Sequence, residues 1–247
     1  MHVLVSLLLY IIFMSGGLIS LGLKEDVEMI SCIEKESLEA LYLRGNSFIG
    51  EVPISLSRCI RLRFLDLGEN KLSGVIPEWI GEELLELYVL VLGSNRFYGR
   101  LPSHVCWLSN IQVLDLSNNG LSGKERSFGR SGLELLKSID LSRNNLSGKI
   151  PYEITSLYEL FSINLSINKL HGKVPKDMGR IPTGSQLQCF NYTSYSGNPQ
   201  LCGPPLTPRC GLSSPPTTVV GKEYAEDEDD FWKSFYIDMG VGISITF

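Results

Sequence analysis

Apolar residues recur along this chain with a long period laid over a short one. In the stretch 136–159, LKSIDLSRNNLSGKIPYEITSLYE, the residues Leu136, Ile139, Leu141, Asn144, Leu146, Gly148, Ile150 and Pro151 fall on the spacing LxxLxLxxNxLxGxIP. The spacing also starts at Leu38, Leu62, Leu87, Ile111 and Leu160, so that with Leu136 there are six units, 24, 25, 24, 25 and 24 residues apart. A fixed period of this length marks a stacked array, because one such unit cannot bury its apolar face alone. Within a unit, Ile139 and Leu141 point to one face of a short strand, and Ser138, Asp140 and Ser142 to the other. The first face is predicted to be core and the second wet.

Each unit then turns at an asparagine: Asn46, Asn70, Asn95, Asn119, Asn144 and Asn168. An amide side chain both donates and accepts, so it can satisfy backbone groups that a tight interior turn orphans. A column of six predicts an internal ladder. The glycine at offset twelve permits a bend closed to other residues, and the proline of the Ile-Pro or Val-Pro pair fixes φ where the chain leaves the turn.

The segments Leu72-Ser73-Gly74-Val75-Ile76-Pro77 and Leu146-Ser147-Gly148-Lys149-Ile150-Pro151 complete a consensus that resembles the plant-specific extracellular leucine-rich repeats. The resemblance implies an α/β repeat solenoid, a leucine-rich-repeat right-handed superhelix with short parallel β-strands on its concave face. The segment Cys32-Ile33-Glu34-Lys35-Glu36 resembles the start of the N-terminal cap of plant receptor-like proteins of the fungal-xylanase-receptor type, and RIPTGSQLQCFNYTSYSGNPQLCGPPLTPRC (180–210) resembles their C-terminal cap. On this reading residues 1–22 are a signal peptide or signal anchor, and 23–37 a remnant of the N-terminal cap. Residues 38–182 hold six repeats, and 183–210 the C-terminal cap. Residues 211–230 form a Ser/Thr/Pro-rich linker with an acidic run, and 231–247 a shortened membrane segment. Repeat four reads Lys124-Glu125-Arg126 where an Ile-Pro pair is expected. Two readings stand there: a degenerate repeat, or the exit of the non-repeat island common in that family. Against the family pattern the chain is expected to be truncated.

Charge changes the picture little. The net charge is −5, and the run Glu223, Glu226, Asp227, Glu228, Asp229, Asp230 supplies six acids, so the remainder balances at −5 + 6 = +1. No basic footprint for nucleic acid is present. Val3 to Met14 is an apolar run of secretory length, whereas Phe235 to Phe247 is short and carries Asp238, so it is not expected to span a bilayer alone. Membrane anchoring stays open between these two ends. Expected localisation is the secretory pathway, ending at the outer face of the plasma membrane or in the apoplast.

Of six cysteines, Cys202 and Cys210 are the best disulfide candidates, eight apart across a Gly-Pro-Pro loop. Cys59 and Cys106 lie on the return side of their repeats and are expected to be buried small hydrophobes. Cys32 is expected to be free or mispaired, and the pairing of Cys189 is open. His2, His104 and His171 form no zinc set at a recognisable spacing. The sequons at Asn145, Asn164 and Asn191 are candidate glycosylation sites.

No catalytic motif, phosphate loop or kinase signature occurs, so the chain is expected to bind rather than catalyse, with no cofactor and no metal. The outward strand positions are the candidate ligand face: the column Tyr42, Asp66, Val91, Asp115, Asp140, Asn164, with Phe64 beside Tyr42. Aligned aspartates suit a basic peptide end, and exposed aromatics favour interfaces. The resemblance implies a peptide or protein ligand and a receptor-kinase co-receptor, in defence or developmental signalling. A soluble wall-associated inhibitor of microbial polygalacturonases, or a non-functional receptor remnant, are the alternatives.

Overall fold

A computed structural model of the chain describes residues 38–124, 133–176, 191–206 and Cys210. All lie within the compact unit Ser20–Leu212. Two parallel sheets run through it, as an array of short strands joined by return segments requires. The first sheet has six three-residue strands: β1 (Ala40–Tyr42), β3 (Phe64–Asp66), β5 (Val89–Val91), β7 (Val113–Asp115), β9 (Ser138–Asp140) and β11 (Ser162–Asn164). The second has seven: β2 (Ile49–Gly50), β4 (Lys71–Val75), β6 (Arg96–Gly99), β8 (Gly120–Lys124), β10 (Asn145–Gly148), β12 (Lys169–Lys173) and β13 (Gln200–Cys202). The register of the first sheet sets Tyr42, Asp66, Val91, Asp115, Asp140 and Asn164 side by side. This is a leucine-rich-repeat solenoid.

The alternating pattern gives the core. Leu41, Leu65, Leu90, Leu114, Ile139 and Ile163 point inward from successive strands and are buried, joined by Leu43, Leu67, Leu92, Leu116, Leu141 and Leu165. Return segments are short 3-10 turns, Ile54–Arg58, Ser103–Trp107 and Tyr152–Ser156, each opened by the repeat's proline. Repeat two alone, among the described residues, makes an α-helix, α1 (Trp79–Glu83). Repeat four is continuous with its neighbours, since β7 pairs with β5 and β9, and β8 with β6 and β10. The irregular stretch 125–132 is outside the described residues.

Between the two sheets runs the asparagine ladder. Asn119 Oδ1 accepts from the Phe97 N–H of the repeat before it at 2.9 Å. Its Nδ2 lies within hydrogen-bonding distance of the carbonyls of Leu92, Leu116 and Ser117. The same four-way pattern recurs at Asn70, Asn95, Asn144 and Asn168. A further rung, which the period does not reveal, is Asn198: it accepts from Leu170 N–H and donates to Leu165, Tyr195 and Ser196. The C-terminal cap therefore begins as one more turn of the array, with Tyr195 buried in a leucine position.

The cysteines divide differently from expectation. Cys202 and Cys210 are bridged, with Cα atoms 5.3 Å apart. Cys59 is buried but also disulfide-bonded, its partner lying outside the described residues, so it is not the simple buried hydrophobe predicted. A thiol and a half-cystine both fill an inward apolar position, which is why the pattern cannot separate them. Cys106 is half-buried. Cys32 and Cys189 lie outside the described residues.

Rungs should differ in strength. Asn46 donates to Leu43 and Arg44 carbonyls, but its buried Oδ1 has no hydrogen-bond partner. Asn119→Ala strips four contacts from buried backbone and is expected to cost about 2–4 kcal/mol, against about 1 kcal/mol for Asn46→Ala. Urea denaturation of both variants checks this; equal losses would show that the inter-repeat acceptor adds nothing.

Candidate functional site

The outward positions of the first sheet carry two kinds of side chain. At the N-terminal end the rings of Tyr42, Phe64 and Tyr88 step diagonally across three repeats. Centroids are 6.5 Å apart between Tyr42 and Phe64 and 6.4 Å between Phe64 and Tyr88, with interplanar angles of 29° and 23°. All three are half-buried. Parallel strands hold them: Ala40 is the register partner of Phe64, and Tyr88 precedes β5. The Tyr42 hydroxyl is pushed up to about 12 by burial and by nearby Asp66, so it stays protonated.

The second kind is charged. Arg44 Nε donates to Asp66 Oδ2 at 3.0 Å and Nη1 to Glu69 Oε1 at 2.6 Å, both across a repeat boundary. Burial opposes charge on Arg44, but the two carboxylates outweigh it and raise its pKa. Asp66 Oδ1 also accepts from Gly68 N–H. A side chain at Gly68 would crowd both Asp66 and the guanidinium, so the glycine there leaves room for the pair.

Sequence reasoning expected a wet column with three receptive aspartates, and this needs correction. Asp66, Val91 and Asp115 are 3%, 0% and 5% exposed. Each aspartate is satisfied close to home: Asp115 by Ser117 N–H, Asp140 by Ser142 N–H and the Asn164 amide, Asp66 as above. Each ties a strand end to its own turn, which is why an aspartate recurs at this strand position from repeat to repeat. Val91, in register between Asp66 and Asp115, has no accessible surface because neighbouring strands only about 4.8 Å away shelter a side chain on both sides. Tyr42 and Phe64 remain partly open. Tyr88 was missed because it precedes the strand proper; its match to Arg63 one repeat earlier, at the edge of the outward face, was the available signal.

The sequons are also placed unequally. Asn145 and Asn191 are exposed. Asn191 caps the 3-10 turn Tyr192–Tyr195 by accepting from Thr193 and Ser194 N–H. Asn164 is half-buried, donates to Asp140 and accepts from Ser166. Among the described residues no helix is long and apolar enough to cross a membrane.

Comparison with known proteins agrees with this geometry. The Leucine Rich Repeat family model matches residues 37–59, 61–82, 110–130 and 135–157. Receptor-like protein EIX2 of Solanum lycopersicum is 41% identical over 69 residues, 26% of this chain and 7% of that protein. Receptor-like protein kinase 7 of Arabidopsis thaliana is 43% identical over 58 residues, covering 24% of this chain and 6% of that one. Among solved structures, the ectodomain of the Arabidopsis thaliana receptor kinase GASSHO1/SCHENGEN3, in complex with CASPARIAN STRIP INTEGRITY FACTOR 2, superposes with a TM-score of 0.58 at 34% identity. That match covers 71% of this chain and 23% of the ectodomain. The Arabidopsis receptor kinase HAESA, in complex with the peptide hormone IDA and the co-receptor SERK1, gives 0.55 at 30% identity, over 67% of this chain and 30% of that one. The chain thus spans less than a tenth of these curated relatives.

Electrostatics along the aspartate row yield a test. Burial, and then Asp140 next to it, push Asp115 up to about 6, against the pull of Ser117 and Arg44. Asp140 is itself raised by burial, opposed by Ser142, Asn164 and Arg143. Between about pH 4 and about pH 6 the folded chain holds a proton on Asp115 that the unfolded chain has released. Stability therefore falls as pH rises through that window. Asp115→Asn keeps the acceptor for Ser117 and removes the charge, so at pH 7.5 it should be more stable than wild type by about 1–3 kcal/mol. The two should converge near pH 4. Thermal unfolding across pH 3.5–8 measures this, and a variant weaker than wild type at pH 7.5 would refute the assigned strain.

Proposed function

The chain belongs to the leucine-rich-repeat proteins of plant receptor-like type, and on that footing we propose that it recognises a peptide or protein ligand outside the cell. The observation that carries this reading is the aromatic diagonal of Tyr42, Phe64 and Tyr88, open on the outward face of the first sheet. Rings held at fixed spacing on rigid strands offer apolar contact at small entropic cost. The paired Arg44, Asp66 and Glu69 beside them give one edge of that surface a defined polarity.

Each component supports binding rather than turnover. The aspartates of the central column are consumed in structural hydrogen bonds, and no nucleophile–base pair stands among the described outward residues. The ligand in this proposal lies across the rings with an apolar side chain. In this proposal the signal passes through a partner receptor kinase, in defence or developmental signalling. The similar receptor kinase HAESA was captured with a peptide hormone and a co-receptor, and the ectodomain of GASSHO1/SCHENGEN3 with CASPARIAN STRIP INTEGRITY FACTOR 2. Exposed Asn145 and Asn191 are the sequons proposed to carry glycans at the plasma membrane or in the apoplast, and Asn164 the one proposed to stay bare.

The test is affinity capture of secreted plant peptides on purified full-length chain, with retained peptides identified by mass spectrometry and resynthesised. A synthetic peptide should bind wild type and lose at least about tenfold in affinity on Phe64→Ala plus Tyr88→Ala, as hot-spot aromatics do. Equal binding by the double variant would move the ligand off this face, and retention of no peptide would reject the reading.

A further inference from the structure

On the return side of the array, metal-ligating side chains converge in a place the ligand face does not use. Glu78 precedes α1 as its N-terminal cap position, and Glu82 follows four residues later, so both carboxylates emerge on one side of the helix. His104 comes from the next repeat, within the 3-10 turn Ser103–Trp107. Its Nε2 lies 3.4 Å from Glu82 Oε1 and its Nδ1 3.9 Å from Glu78 Oε2. One ligand atom from each of the three residues falls within 4.8 Å of the others. These separations exceed those of well-formed hydrogen bonds. The His104 Nδ1 is shut off from solvent and makes no hydrogen bond.

Two features hold the imidazole in place. A Cβ at Gly81 would overlap the carbonyl of His104, so only glycine lets α1 approach the next repeat this closely. The Trp107 ring meets the imidazole edge-on, with centroids 4.4 Å apart and planes at 88°. A surface imidazole fixed in one orientation between two carboxylates is pre-organised for something that sits between them.

We propose that Glu78, Glu82 and His104 bind a divalent transition-metal ion of the zinc class, clipping repeat two to repeat three. Zinc bonds to nitrogen and carboxylate oxygen are about 2.0–2.2 Å, which sets tetrahedral donors about 3.3–3.6 Å apart. The His104–Glu82 separation already matches. Glu78, 70% exposed, has the freedom to close the third position, and water fills the fourth. The two carboxylates neutralise the charge of the ion. An imidazole donor and so few oxygens disfavour magnesium and calcium. Sequence spacing could not show the set, because its members belong to two repeats and meet only on stacking.

Isothermal titration of zinc chloride into chelator-stripped full-length chain at pH 7.5 tests the proposal. One saturable event is expected, weakened at least about tenfold by His104→Gln and by Glu82→Gln, as loss of a ligand should do. Millimolar magnesium should not compete. Glu78→His, which adds a second imidazole without touching the core, should tighten binding. Zinc uptake unchanged in His104→Gln would place the ion elsewhere, for instance on the acidic run 223–230, and would overturn the site. So would absence of saturable binding, or a Glu78→His variant no tighter than wild type.

Discussion

Everything in this fold hangs on the amide side chains at the turn between the two sheets. A parallel array of three-residue strands has too little ladder of its own to fix where one repeat sits on the next. The asparagines supply that register. Each interior rung accepts an N–H from the repeat before it and sits against carbonyls of that repeat and its own, so two repeats share one half-buried polar node. In a low-dielectric interior such a node is costly to leave half-made, which makes the stacking all-or-none. The apolar column of Leu65, Leu90, Leu114 and Ile139 then supplies most of the driving force. The ladder decides the geometry in which that force is spent.

Much of this was visible in the sequence for the same reason. A period of 24 or 25 residues fixes which side chains are neighbours, so the register of Tyr42, Asp66, Val91, Asp115, Asp140 and Asn164 follows from counting. Exposure does not follow from counting. Asp66 and Asp115 alternate correctly yet are buried, because a carboxylate two residues before a turn finds its partner in that turn. Cys59 was read as a hydrophobe because the repeat pattern reports only that a position is inward. Asn198 escaped because it stands 30 residues after Asn168, outside the period of 24 or 25 that marks the other rungs. Ile167 holds a φ of 53°, a conformation costly for a β-branched residue, and nothing in its local sequence announces it. The array imposes that turn conformation at Glu69, Ser94, Asn118 and Arg143 as well, so position overrides residue type.

The distribution of function over the scaffold is a consequence of the same economy. Outward positions near the C-terminal end are small and polar, Ser138, Ser142, Ser162 and Ser166, and they are largely occupied with strand ends and turns. The rings of Tyr42, Phe64 and Tyr88 stand apart from that pattern, which is why recognition is assigned to the first three repeats. The return side, free of the ladder's demands, varies more: α1 replaces a 3-10 turn in repeat two, and there Glu78 and Glu82 meet His104.

The most direct test of the ladder is native-state hydrogen exchange at the N–H groups that the asparagines accept. These are Phe48, Leu72, Phe97, Leu121, Leu146 and Leu170, one from each repeat. If the rungs clamp repeat to repeat, the interior amides of Leu72, Phe97, Leu121 and Leu146 should exchange only through the same cooperative opening, with matching protection and a shared denaturant dependence. Protection that instead varied freely from rung to rung, each with its own local opening, would show that the repeats hold together without the asparagines.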